Sequence, residues 1–173
     1  MLDGTRMTAL APQELSFADE APWQFDATAL LHATPAEVWS VFTDNQSWTV
    51  WFKNCRSCAT TSEAEGGVGS TRLIDVSGLR VNERFIAWEQ QRQWAFTAID
   101  MRMSFATAMV ERATFQQMSD ATTRVDYRIA VQPTWWARPL RRLLAGQVSK
   151  SFATSFRQLD AYLSKKRAGQ SLA

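Results

Sequence analysis

Four polar side chains interrupt strand faces that are otherwise apolar. Alternation along 79–89 puts Leu79, Val81, Phe85 and Ala87 on one face, with Glu83 among them. Along 105–116, Phe105, Met109, Ala113 and Phe115 share a face with Glu111. Val125, Tyr127, Ile129 and Val131 do the same along 123–131, and Arg72 falls in line with Ile74 and Val76. A charge facing a low-dielectric interior is costly unless paired. Arg72 with Glu83 is the expected pair, because their strands should be neighbours across the Ser77-Gly78 turn. Two inward carboxyls can raise one another's pKa and serve as acid and base, with Tyr127 as a further hydrogen-bond donor. The alternatives are a structural ion pair at a barrel mouth, or a parity that leaves Glu111 in solvent.

Other reactive residue types carry less. Cys55 and Cys58 form a lone Cys-x-x-Cys, and His32 is the only histidine, so Cys and His cannot supply a tetrahedral zinc set. The two cysteines fall in a stretch that reads as strand, where positions three apart face opposite sides, and a structural role is expected. His32 ends a strand beside a helix cap, and no Gly-x-Ser-x-Gly elbow accompanies it. No Walker loop, Rossmann fingerprint or His-Glu-x-x-His appears. No cofactor and no metal are expected.

The elements that must position these groups begin with Trp23 to His32, where Trp23, Phe25, Ala27, Ala29 and Leu31 alternate as a strand. Thr34 can cap a helix from Pro35 to about Thr43, and Glu37 completes a capping box. Asp44-Asn45 breaks that helix, and a second short helix runs through Trp48 and Trp51. Strands are predicted at about 54–61, 70–76, 79–89, 93–99, 105–116 and 123–131. Beyond Trp135-Trp136 the period becomes 3.6: Leu140, Leu143, Leu144, Val148, Phe152, Phe156, Leu159 and Leu163 form one stripe of a helix of about 25 residues. Residues 1–21 read as a loose arm, 22–166 as one domain and 167–173 as a frayed tail. A single antiparallel sheet with one apolar face needs a cover, and the last helix is long enough to provide it. The gap between a curved sheet and that helix is a pocket.

With 173 residues, 46% hydrophobic and 12% aromatic, including eight Trp and ten Phe, one domain with a substantial core is expected. The net charge of +2 is spread through the chain, and no nucleic-acid partner is expected. No apolar run reaches the ~18 residues of a membrane span, and residues 1–22 lack the pattern of a signal peptide. A cytoplasmic location, no integral membrane association and a monomer or homodimer are expected. Trp135-Trp136-Ala-Arg-Pro-Leu-Arg-Arg has the aromatics and cations of a membrane-surface anchor. The favoured expectation is instead that one Trp plugs the pocket edge while the arginines solvate the following helix.

The order strand, two short helices, six strands and a long helix resembles the START-like (SRPBCC) superfamily, and its polyketide cyclase/dehydrase-type members in particular. The resemblance is carried by Ala33-Thr-Pro-Ala-Glu-Val-Trp39, Asp44 to Trp51, Gly67-Val-Gly-Ser-Thr-Arg72, Val81-Asn-Glu-Arg-Phe-Ile-Ala-Trp88, Thr123-Arg-Val-Asp-Tyr127 and the terminal helix. It implies an α+β helix-grip (START/Bet v 1-like) fold, a curved seven-stranded antiparallel sheet wrapped around the C-terminal helix. It also implies a mostly apolar cavity for lipids, polyketides, quinones or similar molecules. Val68-Gly-Ser-Thr-Arg72, Ser77-Gly-Leu79 and Trp51-Phe-Lys-Asn-Cys55 are further similar to plant abscisic-acid receptors, with Arg80 where those carry Pro. That similarity implies a polar pocket end at Arg72 and Glu83, and a ligand-carboxylate anchor at Lys53.

The expected partner is therefore a hydrophobic or amphipathic small molecule. Its walls are expected from Phe85, Trp94, Phe96, Met109, Phe115, Phe152 and Phe156, with Arg72, Glu83, Glu111, Tyr127 and Lys53 as polar contacts. A cyclase or dehydratase moving a proton through a cavity carboxyl or Tyr127 is the second reading, and a cochaperone-like interaction module the third.

Overall fold

Thr34 sets the first corner of the fold. Its Oγ1 accepts from the Glu37 N–H at 3.3 Å while Glu37 Oε2 accepts from the Thr34 N–H at 2.7 Å, and Pro35 occupies the first helical position. This capping box starts helix α2 (Pro35–Phe42), whose Val38, Trp39, Val41 and Phe42 are buried. The computed structural model describes residues 7–103 and 105–170. Before α2 lie β1 (Thr8–Ala9), α1 (Phe17–Glu20) and β2 (Trp23–Leu31). After it come a 3-10 turn (Asn45–Ser47), α3 (Trp48–Trp51), β3 (Cys55–Thr60), β4 (Thr71–Val76), β5 (Leu79–Glu89), β6 (Gln93–Met101), β7 (Ala106–Ser119) and β8 (Thr122–Pro133). A second 3-10 turn (Trp135–Leu140) leads into α4 (Arg141–Gln170).

The sheet is antiparallel in the order β2-β8-β7-β6-β5-β4-β3, with the two-residue β1 beside β6. From β3 to β8 each strand pairs with the next, and β2 closes the path against β8. The β4–β5 hairpin turns on Ser77 (φ 56°) and Gly78 (φ 88°), both left-handed, with Asp75 Oδ1 accepting from the Gly78 N–H at 2.8 Å. That geometry matches the twist of the flanking strands and fixes the β4–β5 register. Register shifts in β3, β5 and β7 add the local bends that curl the sheet around α4. Phe152, Phe156, Leu159 and Leu163 of α4 are buried against its concave face. This is the α+β helix-grip architecture that the START-like resemblance implies.

Three sequence expectations change. The sequence reads 1–21 as a loose arm, but its described part, from residue 7, is packed. Leu10 and Ala11 donate backbone hydrogen bonds to Ile99 and Thr107, and Ala18 and Ala21 bury against Val110 and Ala130 on the convex face. Asp19 holds Arg112 through two 2.8 Å bonds and Arg128 through one of 2.7 Å. Short alternating side chains on the outer face of β7 and β8 leave a shelf that the arm covers, a long-range match that its own weak pattern does not reveal. Residues 1–6 lie outside the described residues.

The tail expected from 167 is helical to Gln170, and Arg167 reaches both Glu37 (2.9 Å) and the His32 carbonyl (3.1 Å); residues 171–173 lie outside the described residues. The apolar stripe of α4 also starts later than its period suggests. Leu140 and Leu143 are exposed, Leu144 and Val148 are half-buried against the core, and full burial begins at Phe152.

Candidate functional site

A cavity of about 790 Å³ lies between the concave face of the sheet, α3 and α4. Each sheet strand from β4 to β8 except β6 contributes an inward apolar side chain to it: Ile74, Val81, Met109 and Ile129 among them. Leu144, Val148 and Phe152 of α4 close the other side. At one end the wall reaches Ser77, Gly78 and Leu79 of the β4–β5 turn together with Arg102 and Met103, both exposed. The opposite, inner end is polar. From Val76 to Arg72 along β4 is four residues, or roughly 13 Å between the two ends.

The inner end is built by register. Arg72 stands opposite Glu83 in the β4–β5 ladder, and its Nε donates to Glu83 Oε2 at 2.5 Å. Their side chains are 1% and 4% exposed. Arg72 Nη1 donates to Asn45 Oδ1 at 3.2 Å. The guanidinium carbon lies 4.4 Å from the Trp48 ring centroid, 4.9 Å from Trp94, 5.3 Å from Phe85 and 5.7 Å from Phe96. Such a box favours a cation electrostatically while it excludes water. Burial works most strongly against the Arg72 charge, and Glu83 together with Cys58 and Tyr127 more than offsets it, holding the guanidinium above its ordinary value. Burial lifts the Glu83 carboxyl against the pull of Arg72.

The second polar pair comes from β7 and β8. Ala113 faces Tyr127 in their ladder, so Glu111 is the diagonal neighbour, and the Tyr127 hydroxyl donates to Glu111 Oε2. Burial pushes the Glu111 carboxyl up to about 8, and the Glu83 charge adds to the rise. Tyr127 is raised well above its ordinary value, by burial first and by the Glu111 charge next. Glu83 and Glu111 line one cavity from the same face of the sheet. Their strands are separated by β6, whose Ala98 and Phe96 stand opposite them.

Of the residues singled out from sequence, Arg72, Glu83, Met109, Glu111, Tyr127 and Phe152 line the cavity. Phe85, Trp94, Phe96, Phe115 and Phe156 are buried inward, as their parity requires, but are absent from its wall. Phe85, Trp94 and Phe96 surround Arg72 instead, and Phe115 packs edge-on to Trp39 (5.8 Å) and Phe42 (5.0 Å) of α2. The physical reason is that α2 and α3 plug this end of the sheet, so its aromatics meet helix side chains rather than open space. Lys53 does not line the cavity either; its backbone N–H donates to Ser155 Oγ at 2.9 Å and ties α3 to α4. Asn45 and Trp48 also hold Arg72, and sequence reasoning does not single them out as site residues, because contacts 27 and 24 positions away leave no local signal.

The cysteines need a correction too. Both are buried and unpaired, on the same side of β3, because a register shift between Cys55 and Ser57 inserts an extra residue. Burial raises both thiols, Cys58 to about 12, which makes them inert as thiolates. His32 lies on the surface with its ring Nδ1 3.0 Å from Asp160 Oδ2, and its backbone N–H donates to Asp160 Oδ1 at 2.7 Å. Neither Trp135 nor Trp136 plugs the pocket; they are 80% and 44% exposed and stand clear of the cavity wall.

Residues 22–164 match the family described as polyketide cyclase / dehydrase and lipid transport. Two curated mycobacterial relatives, the uncharacterized proteins Rv2574 of Mycobacterium tuberculosis and Mb2604 of Mycobacterium bovis, are each 36% identical over 83 residues. The match takes in 47% of this chain and 50% of each relative, so the chain spans about half the length of the curated relatives it matches. Among solved structures, a START superfamily protein from Mycobacterium smegmatis superposes with a TM-score of 0.68 at 15% identity, covering 82% of this chain and 97% of the other. Ara h 8.0201 superposes at 0.65 with 13% identity, covering 83% and 98%. Ginseng major latex-like protein 151 from Panax ginseng does so at 0.64 with 12% identity, covering 81% and 96%. Likeness at this identity concerns the fold.

Proposed function

We propose that this chain, which belongs to the polyketide cyclase / dehydrase and lipid transport family, binds a hydrophobic or amphipathic small molecule in the cavity between sheet and α4. The observation that carries the reading is the pairing of an apolar wall of about 790 Å³ with four polar groups gathered at its inner end. A few convergent polar groups in an apolar box orient a ligand and select it.

The charges there narrow the ligand's polar end. Arg72 and Glu83 compensate one another, and Glu111, with its carboxyl pushed up to about 8, holds a proton at neutral pH. The inner end then carries no net charge, and with the Tyr127 proton given to Glu111 Oε2 it offers as donors the Glu111 hydroxyl and the Nη2 of Arg72, which is unpartnered among the described residues. A ligand ending in a hydroxyl, carbonyl or quinone oxygen fits an end without net charge better than a carboxylate does, and Lys53 is not at hand to balance one. Aromatic polyketides, isoprenoid quinones and sterol-like molecules meet that description.

A thermal-shift screen of the purified protein against these classes and against fatty acids tests the reading. A ligand at about 100 times its Kd adds ~2.7 kcal/mol, or roughly 6 °C for a chain of this size. The shift should shrink in Tyr127→Phe. No shift with any class, in protein shown by mass spectrometry to carry no copurified lipid, overturns the reading.

The proton on Glu111 also favours an enzymatic second reading. A protonated carboxyl hydrogen-bonded to a phenol can hand a proton to a ligand carbonyl oxygen, as a cyclase or dehydratase requires. Its mark is turnover of a bound polyketide-like ketone that is lost in Glu111→Gln while binding persists; unchanged turnover in that variant excludes it.

A further inference from the structure

We infer that the exposed segment 135–143, with Arg102 and Met103 beside it, is a docking surface for an anionic lipid bilayer, placed at the open end of the cavity. Trp135 is 80% exposed, Leu143 60%, Met103 53% and Trp136 44%. Clustered exposure of this kind on an otherwise well-packed chain marks an interaction surface. The core takes only Ala137 from this segment: both tryptophans, Leu140 and Leu143 face away from it, and Leu144 and Val148 further along α4 are half-buried. The patch is held in place rather than left loose, since the Thr134 N–H and Oγ1 both donate to the Phe105 carbonyl, at 2.9 and 3.1 Å. It adjoins the cavity, because Phe105, whose carbonyl holds Thr134, and Leu144, next to Leu143, belong to the cavity wall, as do Arg102 and Met103.

Charge identifies the occupant. The chain has no Asp or Glu between Asp126 and Asp160, while Arg138, Arg141 and Arg142 interleave with the two tryptophans and Leu143. All three arginines are exposed, and none has an ion-pair partner among the described residues. Indole rings and leucines settle at the boundary between headgroups and acyl chains, and arginines beside them meet anionic headgroups. A second copy of this chain is a poorer partner. A two-fold interface sets the same patch against itself and brings these arginines face to face with no carboxylate between them.

Flotation of the full chain with vesicles tests the surface, using phosphatidylcholine alone and phosphatidylcholine mixed with phosphatidylglycerol. Binding is expected to the mixed vesicles only, and to weaken with salt. Arg138→Gln, Arg141→Gln and Arg142→Gln should each lower the partition coefficient about fivefold. Trp135→Ser with Trp136→Ser should reduce it at least as much, with the circular dichroism spectrum unchanged because the side chains are exposed. No binding to mixed vesicles, or binding indifferent to both sets of substitutions, overturns the proposal. Concentration-dependent self-association that Trp135→Ser abolishes overturns it as well and gives the face to a second copy. A chain with an empty cavity that still floats leaves this proposal standing and tells against the ligand reading alone.

Discussion

Arg72 and Glu83 face one another across the β4–β5 ladder, bonded at 2.5 Å and sealed by Trp48, Trp94, Phe85 and Phe96. Removing one partner leaves the other charge buried and unpaired. Arg72→Met is expected to destabilise the protein by about 3–5 kcal/mol, and Arg72→Met with Glu83→Leu to recover most of that loss. Urea unfolding of the single and double variants checks this. A double variant no more stable than the single one would show that the cost lies in packing rather than in charge.

Glu111 makes stability fall as pH rises. Its folded value of about 8 lies above that of an unfolded glutamate, near 4.5. Between those values the unfolded chain gives up a proton that the folded chain keeps, so the unfolded state is favoured progressively up to about pH 8. Glu37 works in the opposite sense. Arg167 holds its carboxyl down to about 2, so its contribution is present above pH 4.5 and disappears as pH falls toward 2. Denaturation midpoints measured from pH 3 to 9 should therefore peak near pH 5, and Glu111→Gln should flatten the alkaline limb while leaving the acid limb in place.

Tyr127→Phe removes the donor to Glu111 without removing the ring, which lies 4.6 Å from Phe152. The fold should survive at a cost of about 1 kcal/mol, while affinity for a cavity ligand with an oxygen at its polar end drops about five- to tenfold. Calorimetric titration of whichever ligand gives a thermal shift measures both effects. Equal affinity in the variant would place the ligand's polar group elsewhere.

The arm contributes to stability through Ala18, which is fully buried on the convex face beside Val110 and Ala130. Ala18→Arg should displace it and lower stability by roughly 1–3 kcal/mol. Hydrogen exchange over residues 8–20 should then accelerate while exchange at the inner end of the cavity stays slow. Unchanged exchange in the arm would mean that β1 alone secures it.

Thr34→Ala should destabilise α2 by about 1 kcal/mol, and Thr34→Ser should restore most of it, because either hydroxyl can accept from the Glu37 N–H. Thermal melts of the two variants distinguish the cap from the packing of the threonine methyl.

Local rules set much of this protein in advance. The capping box at Thr34, the period-2 faces of the strands and the tight Ser77-Gly78 turn each depend on residues within a few positions. Together they were enough to place Arg72, Glu83, Glu111 and Tyr127 on the inner face. Other features depend on what meets what across the chain. Phe85, Trp94 and Phe96 point inward as read from sequence, but the short helices decide that they surround Arg72 instead of a ligand. The register shift at Cys55 turns both cysteines to one side, and the shelf on β7 and β8 orders an arm with no strong pattern of its own. The 3.6 period marks Leu140 and Leu143 as apolar-face residues, but both stay exposed while Leu144 and Val148 of the same stripe meet the cavity. Hydrophobic periodicity tells which side of an element is apolar. Only the tertiary structure decides whether that side meets a neighbour, a cavity or the outside, because burial is a property of distant surfaces brought together.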